Sequence, residues 1–408
     1  MGSRLTVCMI MIVFAQACSM YKPASKTDVS MAYNPLKKKL HPKVAIYHTA
    51  EDSSQITFRQ DRNELMYESE RSARVQFKYE ILTGYASKTI IDSHSVIIYD
   101  SLQQKTKNTI EFSHTFYLPS GENYLIRAGV KDRNSHFTAW SFHSVKKENS
   151  YQRGFFRMLD MHDKAVFSPL INEKDSFRIQ YEHAPALTVS YFKEQFKPAR
   201  PPYLNNRKRE LEMEADSTFP ITLSDGRSEP LQFSQPGIYH IQADTSQKDG
   251  LTLFYFSNDY PKVTSAKQMI PPVRYIATRN EYSNLLESEH PRTDIEDFWL
   301  KLTNNPERSR ILIRNYYNRV EQANKLFFTH KPGWKTDRGM VYIVLGPPQM
   351  VYKSNDKETW IYGESARYNA IKMDFIKADN PFTENDYILE RSPLYKDEWF
   401  FSINYQRR

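Results

Sequence analysis

The chain has 408 residues, a formal net charge of +8, 40% apolar residues and 14% aromatic residues, including 27 Tyr and 24 Phe. This length exceeds what one hydrophobic core usually organises, so two or three domains are expected, and the composition excludes a disordered tail. Only 12 Gly accompany the many strand-forming side chains, which favours a β-rich fold.

Residues 1–17, MGSRLTVCMIMIVFAQA, carry Arg4 as a short positive region, an apolar run over residues 5–14, and Ala15, Gln16 and Ala17 before Cys18. This reads as a signal peptide, too short to span a bilayer. With cysteine directly after Ala-Gln-Ala, the segment resembles a bacterial lipoprotein signal, which implies that Cys18 becomes the lipidated N-terminus. The plainer alternative is a secretory signal with a chance cysteine. Cys8, the other cysteine, lies inside the peptide to be removed, so no disulfide is expected and core burial must hold the exported domains.

Residues 18–42 are polar and proline-punctuated, with Lys37, Lys38 and Lys39 adjacent, and read as a flexible tether. Such a tether would hold the first folded domain on the order of 25–30 Å from the lipid. Ser19 is not the aspartate that resembles an inner-membrane retention signal, and no acidic run follows Cys18. The expectation is therefore an outer-membrane anchor with the body on the periplasmic side. Losing Arg4 with the signal lowers the net charge from +8 to +7. For an exported chain this means solubility and some affinity for anionic surfaces, with no nucleic-acid partner.

Residues 43–147 contain short runs rich in Val, Ile, Tyr and Phe. In ARVQFKYEIL, Val75, Phe77, Tyr79 and Ile81 fall on one face, opposite Gln76, Lys78 and Glu80, which is the period-two signature of a half-buried strand. Seven or eight such strands predict an immunoglobulin-like sandwich. Residues 154–260 repeat the style and predict a second, with an echo between LPSGENYLIRA (118–128) and FSQPGIYHIQA (233–243). Inside this second module, residues 197–220 form a long charged segment, read as a solvated insertion or a docking loop.

From residue 265 to 408 the pattern predicts an α+β domain, helices first and an antiparallel meander after. A short helix is expected over residues 281–286. Thr293 and Glu296 suggest a capping box for the next. Pro306 opens a long helix through Phe328, on which Leu312, Tyr316, Val320, Ala323 and Phe327 make an apolar stripe. Strands are expected from Val341 to Leu345, with Gly346, Pro347 and Pro348 breaking the chain before the next, and residues 395–408 predict a terminal helix.

The densest stretch is GWKTDRG, residues 333–339. Read as a turn between helix and strand, it uses Pro332 and Gly333 to end the helix and Trp334 to pin the turn into the core. Thr336 and Asp337 bond backbone amides, and Gly339 permits a positive φ. Lys335 and Arg338 are left without a structural task. Phe298 and Trp299, NYYNRVEQANKLF from Asn315, PGWKTDRGMVYIVLGPP from Pro332 and ETWIYG from Glu358 together resemble the GWxTD domain of Bacteroidetes and related bacteria. Its signature falls on Gly333, Trp334, Thr336 and Asp337. Gln349 departs from the acidic residue more often found after the prolines. The resemblance implies an exported envelope protein and carries no reaction with it.

No catalytic residue is assigned. The 11 His show no HxxxH or HxH spacing, and neither a phosphate loop nor a G-x-S-x-G elbow is present, so no metal and no cofactor are expected. Asp337 with Glu358 could serve acid/base chemistry as a hydrolase only if the fold brings them together. The expected function is a non-catalytic scaffold or accessory lipoprotein of an envelope protein complex, with glycan capture by exposed aromatics as the rival.

Overall fold

A computed structural model describes residues 28–34, 38–68, 72–101, 108–193, 196–205, 213–363 and 370–407. The signal peptide over residues 1–17 and Cys18 lie outside the described residues. The first module contains β1 (Lys43–His48), β2 (Ser53–Asp61), β3 (Ser72–Leu82), β4 (Ile90–Ser101), β5 (Thr109–Tyr117), β6 (Glu122–Asp132) and β7 (Thr138–Lys147). They form two antiparallel sheets, β1-β2-β5 and β4-β3-β6-β7. Between the sheets lies a core to which β3 gives Val75, Phe77, Tyr79 and Ile81, as its alternation predicts. Each such side chain contributes about 1.5–3 kcal/mol when fully buried. Residues 65–68, the described part of the LMYESE run that the sequence offers as another strand, form none.

This core has a polar rim that alternation could not foretell. Lys147 at the end of β7 is wholly buried, and its ammonium donates to the carbonyls of Leu118 (2.6 Å) and Ser53 (2.9 Å) and to Ser54 Oγ (3.2 Å). His48 Nδ1 meets the same Ser54 hydroxyl at 2.8 Å. Burial lowers the Lys147 ammonium to about 8, and burial together with the Lys147 charge lowers His48 to about 4.

The second module is built from β8 (Arg157–Leu159), β9 (Arg178–Gln180), β10 (Ala186–Phe192), β11 (Ser217–Ser224), β12 (Arg227–Ser228), β13 (Gly237–Gln242) and β14 (Leu251–Tyr255). Its strands join in one antiparallel ladder, β14-β13-β10-β11-β12-β9-β8, around a core of its own. The described part of the charged insertion docks within the chain. Ala199 N–H donates to the Lys335 carbonyl (2.9 Å), Ser392 N–H to the Pro202 carbonyl (3.1 Å), and Tyr203 packs on Phe400.

The C-terminal domain opens with α1 (Ala266–Met269), α2 (Arg279–Leu286), α3 (Pro291–Thr303), α4 (Pro306–Phe327) and α5 (Asp337–Leu345). The antiparallel meander β15 (Met350–Lys353), β16 (Lys357–Tyr362), β17 (Ile371–Lys377) and β18 (Tyr387–Leu389) follows, then α6 (Lys396–Gln406). The stripe on α4 is core as expected, with Tyr316, Val320, Ala323 and Phe327 buried and Leu312 packed against them.

Three expectations are corrected. The strand from Val341 to Leu345 is helix α5. MVYIVL holds no charged residue and is buried from Met340 through Val344, so periodicity cannot separate strand from helix. The local chemistry favours helix through Thr336 as N-cap, Asp337 in the first turn and Gly346 past the end at φ 83°. The Gly346-Pro347-Pro348 corner therefore joins a helix to β15. Likewise, α3 starts at Pro291, ahead of the expected capping box, because proline suits the first helical position and Thr293 lies inside the first turn. The expected flexible tether is ordered where described: Leu40 is buried in the first module, and residues 28–33 pack on the C-terminal domain as a short 3-10 turn with Val29 and Tyr33 buried.

The buried bases set a pH response. Both groups bind fewer protons folded than unfolded within their windows, so stability rises with pH from about 4 to 6.5 through His48 and from about 8 to 10.5 through Lys147. Urea unfolding of Lys147→Met should lose the alkaline rise and keep the acidic one; an unchanged alkaline slope would contradict this assignment.

Candidate functional site

The stretch 333–339 is a corner between two helices. Thr336 Oγ1 accepts the Gly339 N–H (3.0 Å) as N-cap of α5 and donates to the Gly333 carbonyl (2.8 Å). Both glycines are required by space. A Cβ on Gly333 would fall 2.0 Å from the Ala323 carbonyl oxygen of α4, and one on Gly339 would fall 1.9 Å from the Gly333 carbonyl oxygen. Thus α4, the turn and α5 pack backbone against backbone. Gly339 does not serve through positive φ, as expected from sequence, because it is the third residue of a helix.

Trp334 is half-buried, not sunk in the core. Its backbone N–H donates to Asn324 Oδ1 (3.0 Å), its carbonyl accepts the Tyr275 hydroxyl (2.8 Å), and its ring meets the Tyr275 ring edge-on. The Tyr260 hydroxyl, from the segment after β14, accepts the Gly333 N–H (3.1 Å) and donates to the Asn324 carbonyl (2.8 Å). Asp337 does more than turn the chain. Its carboxylate takes both Nη atoms of Arg391 (2.6 and 3.0 Å) and the Leu389 N–H (3.0 Å), tying the start of α5 to β18.

Arg338, without a task in the sequence reading, is among the largest fully buried side chains. Its Nη1 donates to Glu358 Oε2 (3.0 Å) and its Nη2 to the carbonyl and Oδ1 of Asn385 (2.6 Å each). The guanidinium lies 4.4 Å from the ring centre of Tyr387 and 5.1 Å from that of Phe327. Glu358, also fully buried, accepts Trp360 Nε1–H (2.6 Å) on its other oxygen, with Lys353 Nζ 3.7 Å away and the Tyr33 side chain beside it. Burial pushes this carboxyl up, but the Arg338 and Lys353 charges with the donated hydrogen bonds hold it below its usual value.

Asp337 and Glu358, the pair that could have made an acid/base site, are thus each committed to a different arginine. Among the described residues no group of three or more His, Cys, Asp or Glu is placed to hold a metal.

A cleft of about 600 Å³, invisible in any motif, lies where the three modules meet. Lys146 of β7, Lys248 and Asp249 between β13 and β14, and Lys377, Asp379 and Glu384 of the C-terminal domain line it above Phe254 and Phe382. Glu384 bridges Lys146 (2.6 Å) and Lys377, and Lys248 meets Asp379 (3.2 Å). Asp249 is half-buried, and burial raises its carboxyl against the pull of Lys146. Phe192, Ile238, Phe254 and Phe256 of the second module share a small core with Phe382 of the third. No sequence signal brings these residues together, because they come from three separate segments.

The chain is therefore a multidomain, β-rich protein with an α+β C-terminal domain organised around one glycine-packed corner. Residues 237–408 match the GWxTD domain, and this is a GWxTD domain-containing protein. The match begins at Gly237 and so takes in β13 and β14 of the second module, the strands that supply Ile238 and Phe254 to the shared core. No curated protein matches the chain. Among solved structures, a biofilm-associated protein's BSP domain aligns at 10% identity and a TM-score of 0.17, over 55% of this chain and 52% of that one, about half of each.

Two substitutions test the corner. Gly339→Ala should cost about 1–3 kcal/mol or more through overpacking against the Gly333 carbonyl. Asp337→Asn should cost about 3 kcal/mol by leaving Arg391 without its nearly buried counter-charge. Urea unfolding measures both, and wild-type stability in Asp337→Asn would contradict the structural role.

Proposed function

We propose that the protein is an envelope lipoprotein, anchored in the outer membrane through Cys18 and facing the periplasm, that acts as a non-catalytic scaffold or accessory subunit of a protein complex. The observation that carries this reading is the interlocking of the modules. The Tyr260 hydroxyl, the loop over residues 196–204, the aromatic cluster around Phe382 and the ion pairs of Glu384 all cross module boundaries. A chain so cross-braced presents several surfaces in fixed relation, which is what a platform for partners needs. The chemistry-bearing residues of the motif support the same reading, since Thr336, Asp337 and Arg338 are consumed in packing.

Glycan capture is a second reading, favoured by the exposed rings of Tyr99 and Tyr117 on the strands of the first module. A hydrolase would need carboxylates other than Asp337 and Glu358 as they stand, and the half-buried Asp249 in the cleft is where such a reading would begin.

Cys18→Ser should move the protein from the detergent-extracted membrane fraction to the soluble envelope fraction. Tagged wild-type protein purified from solubilised envelopes should bring a defined outer-membrane protein with it. Equal fractionation of the two forms would defeat the anchor; recovery of the tagged chain alone, with retention on a glycan array lost in Tyr99→Ala, would favour the glycan reading.

A further inference from the structure

We propose that residues 28–33 form a strap that clamps the chain's membrane anchor onto the C-terminal domain, so that this domain and not the first sandwich is the body held next to the lipid. The anchor half of this inference rests on the reading of Cys18 given above; the strap itself does not.

The sheet of the C-terminal domain ends at β15, an edge that would otherwise present unpaired backbone groups. Asp28 makes an antiparallel bridge there with Tyr352. Val29 N–H donates to the Val351 carbonyl, and the Val351 N–H donates to Asp28 Oδ1, both at 2.9 Å. The same carboxylate accepts the Ser30 N–H and hydroxyl, each at 2.9 Å, which fixes the turn that follows. That turn drops Tyr33 into the core, 5.4 Å from the Phe327 ring and 5.6 Å from the Trp360 ring. Its carbonyl accepts the Tyr342 hydroxyl (3.0 Å), and its side chain lies beside Glu358. Six residues thus combine backbone pairing at an edge, a carboxylate that caps the edge strand's N–H and one aromatic anchor among buried rings. That is the mode by which a separate extended peptide binds a sheet edge, supplied here by the chain itself.

The placement follows from chain length. Nine residues lie between Cys18 and Asp28. Fully extended, that stretch of chain reaches at most about 35 Å. The chain leading from Cys18 thus meets the C-terminal domain before the first module, whose β1 begins only at Lys43, beyond the strap.

The test replaces residues 35–37 by a site-specific protease sequence in the full-length lipoprotein. In isolated membranes, cleavage should leave the body bound, because the strap holds it without a covalent link. In Tyr33→Ala, cleavage should release at least ten times more of the body to the supernatant, with Tyr33→Phe intermediate. Melting of each uncleaved variant shows whether it is folded. A parallel arm cleaves the Cys18→Ser chain in solution, where the N-terminal fragment should co-elute with the body on size exclusion, and this arm decides the strap even if the uncleaved wild type never reaches the membrane and the anchor reading fails. Release of the wild-type body from membranes, or separate elution of the fragment, would overturn the strap.

Discussion

The C-terminal domain depends on a carboxylate with no solvent-accessible surface. Glu358 sits on β16 with no exposed surface, and stripping an ionised carboxylate of solvent costs several kcal/mol unless charge and hydrogen bonds replace the water. The replacements come from three places in the chain, the Arg338 guanidinium on α5, Lys353 on β15 and the Trp360 indole on β16, with the Tyr33 ring of the N-terminal strap packed on Trp360 beside them. Each of these elements is located by having to reach the same point. Packing alone would tolerate small slips of α5 over the sheet; a buried ion pair flanked by two aromatic rings does not.

The corner at residues 333–339 is what aims Arg338. Gly333 lies against the backbone of α4, Gly339 against the carbonyl of Gly333, and the Thr336 cap fixes the first turn of α5. Asp337 and Arg338 then leave the same turn toward different partners, one to Arg391 and the other to Glu358. The motif is accordingly a device for bringing two helices into backbone contact and sending one carboxylate and one guanidinium to opposite tasks. The same region receives Tyr260 from the end of the second module and the backbone of residue 199 from its insertion, so the rigidity of the corner extends to the junction of modules.

Much of the architecture was legible in the residues. The alternation of Val75, Phe77, Tyr79 and Ile81, the stripe on α4 and the change from strands to helices after residue 265 each come from a period that backbone geometry imposes. What stayed hidden had no period to show. The MVYIVL run of α5 is apolar throughout, so only its cap distinguishes helix from strand. Residues 28–33, DVSMAY, are too short and mixed to announce a docking segment, and their pocket is built from residues three hundred positions away. The sequence leaves Arg338 without a task and offers Glu358 only as an acid/base candidate, because burial of a charge is decided by tertiary contacts; Lys147 in the first module is hidden for the same reason. The motif itself could be read as a corner, but not which elements it joins.

If the corner and its ion pair organise the domain structurally, their energies must be coupled. The direct measurement is a double-mutant cycle of urea unfolding free energies for wild type, Arg338→Met, Glu358→Gln and the double variant. Each single substitution should cost about 3–5 kcal/mol by leaving a buried partner uncompensated, and the double variant should fall short of the sum by about 2 kcal/mol or more. Additivity of the two within about 0.5 kcal/mol would contradict the account.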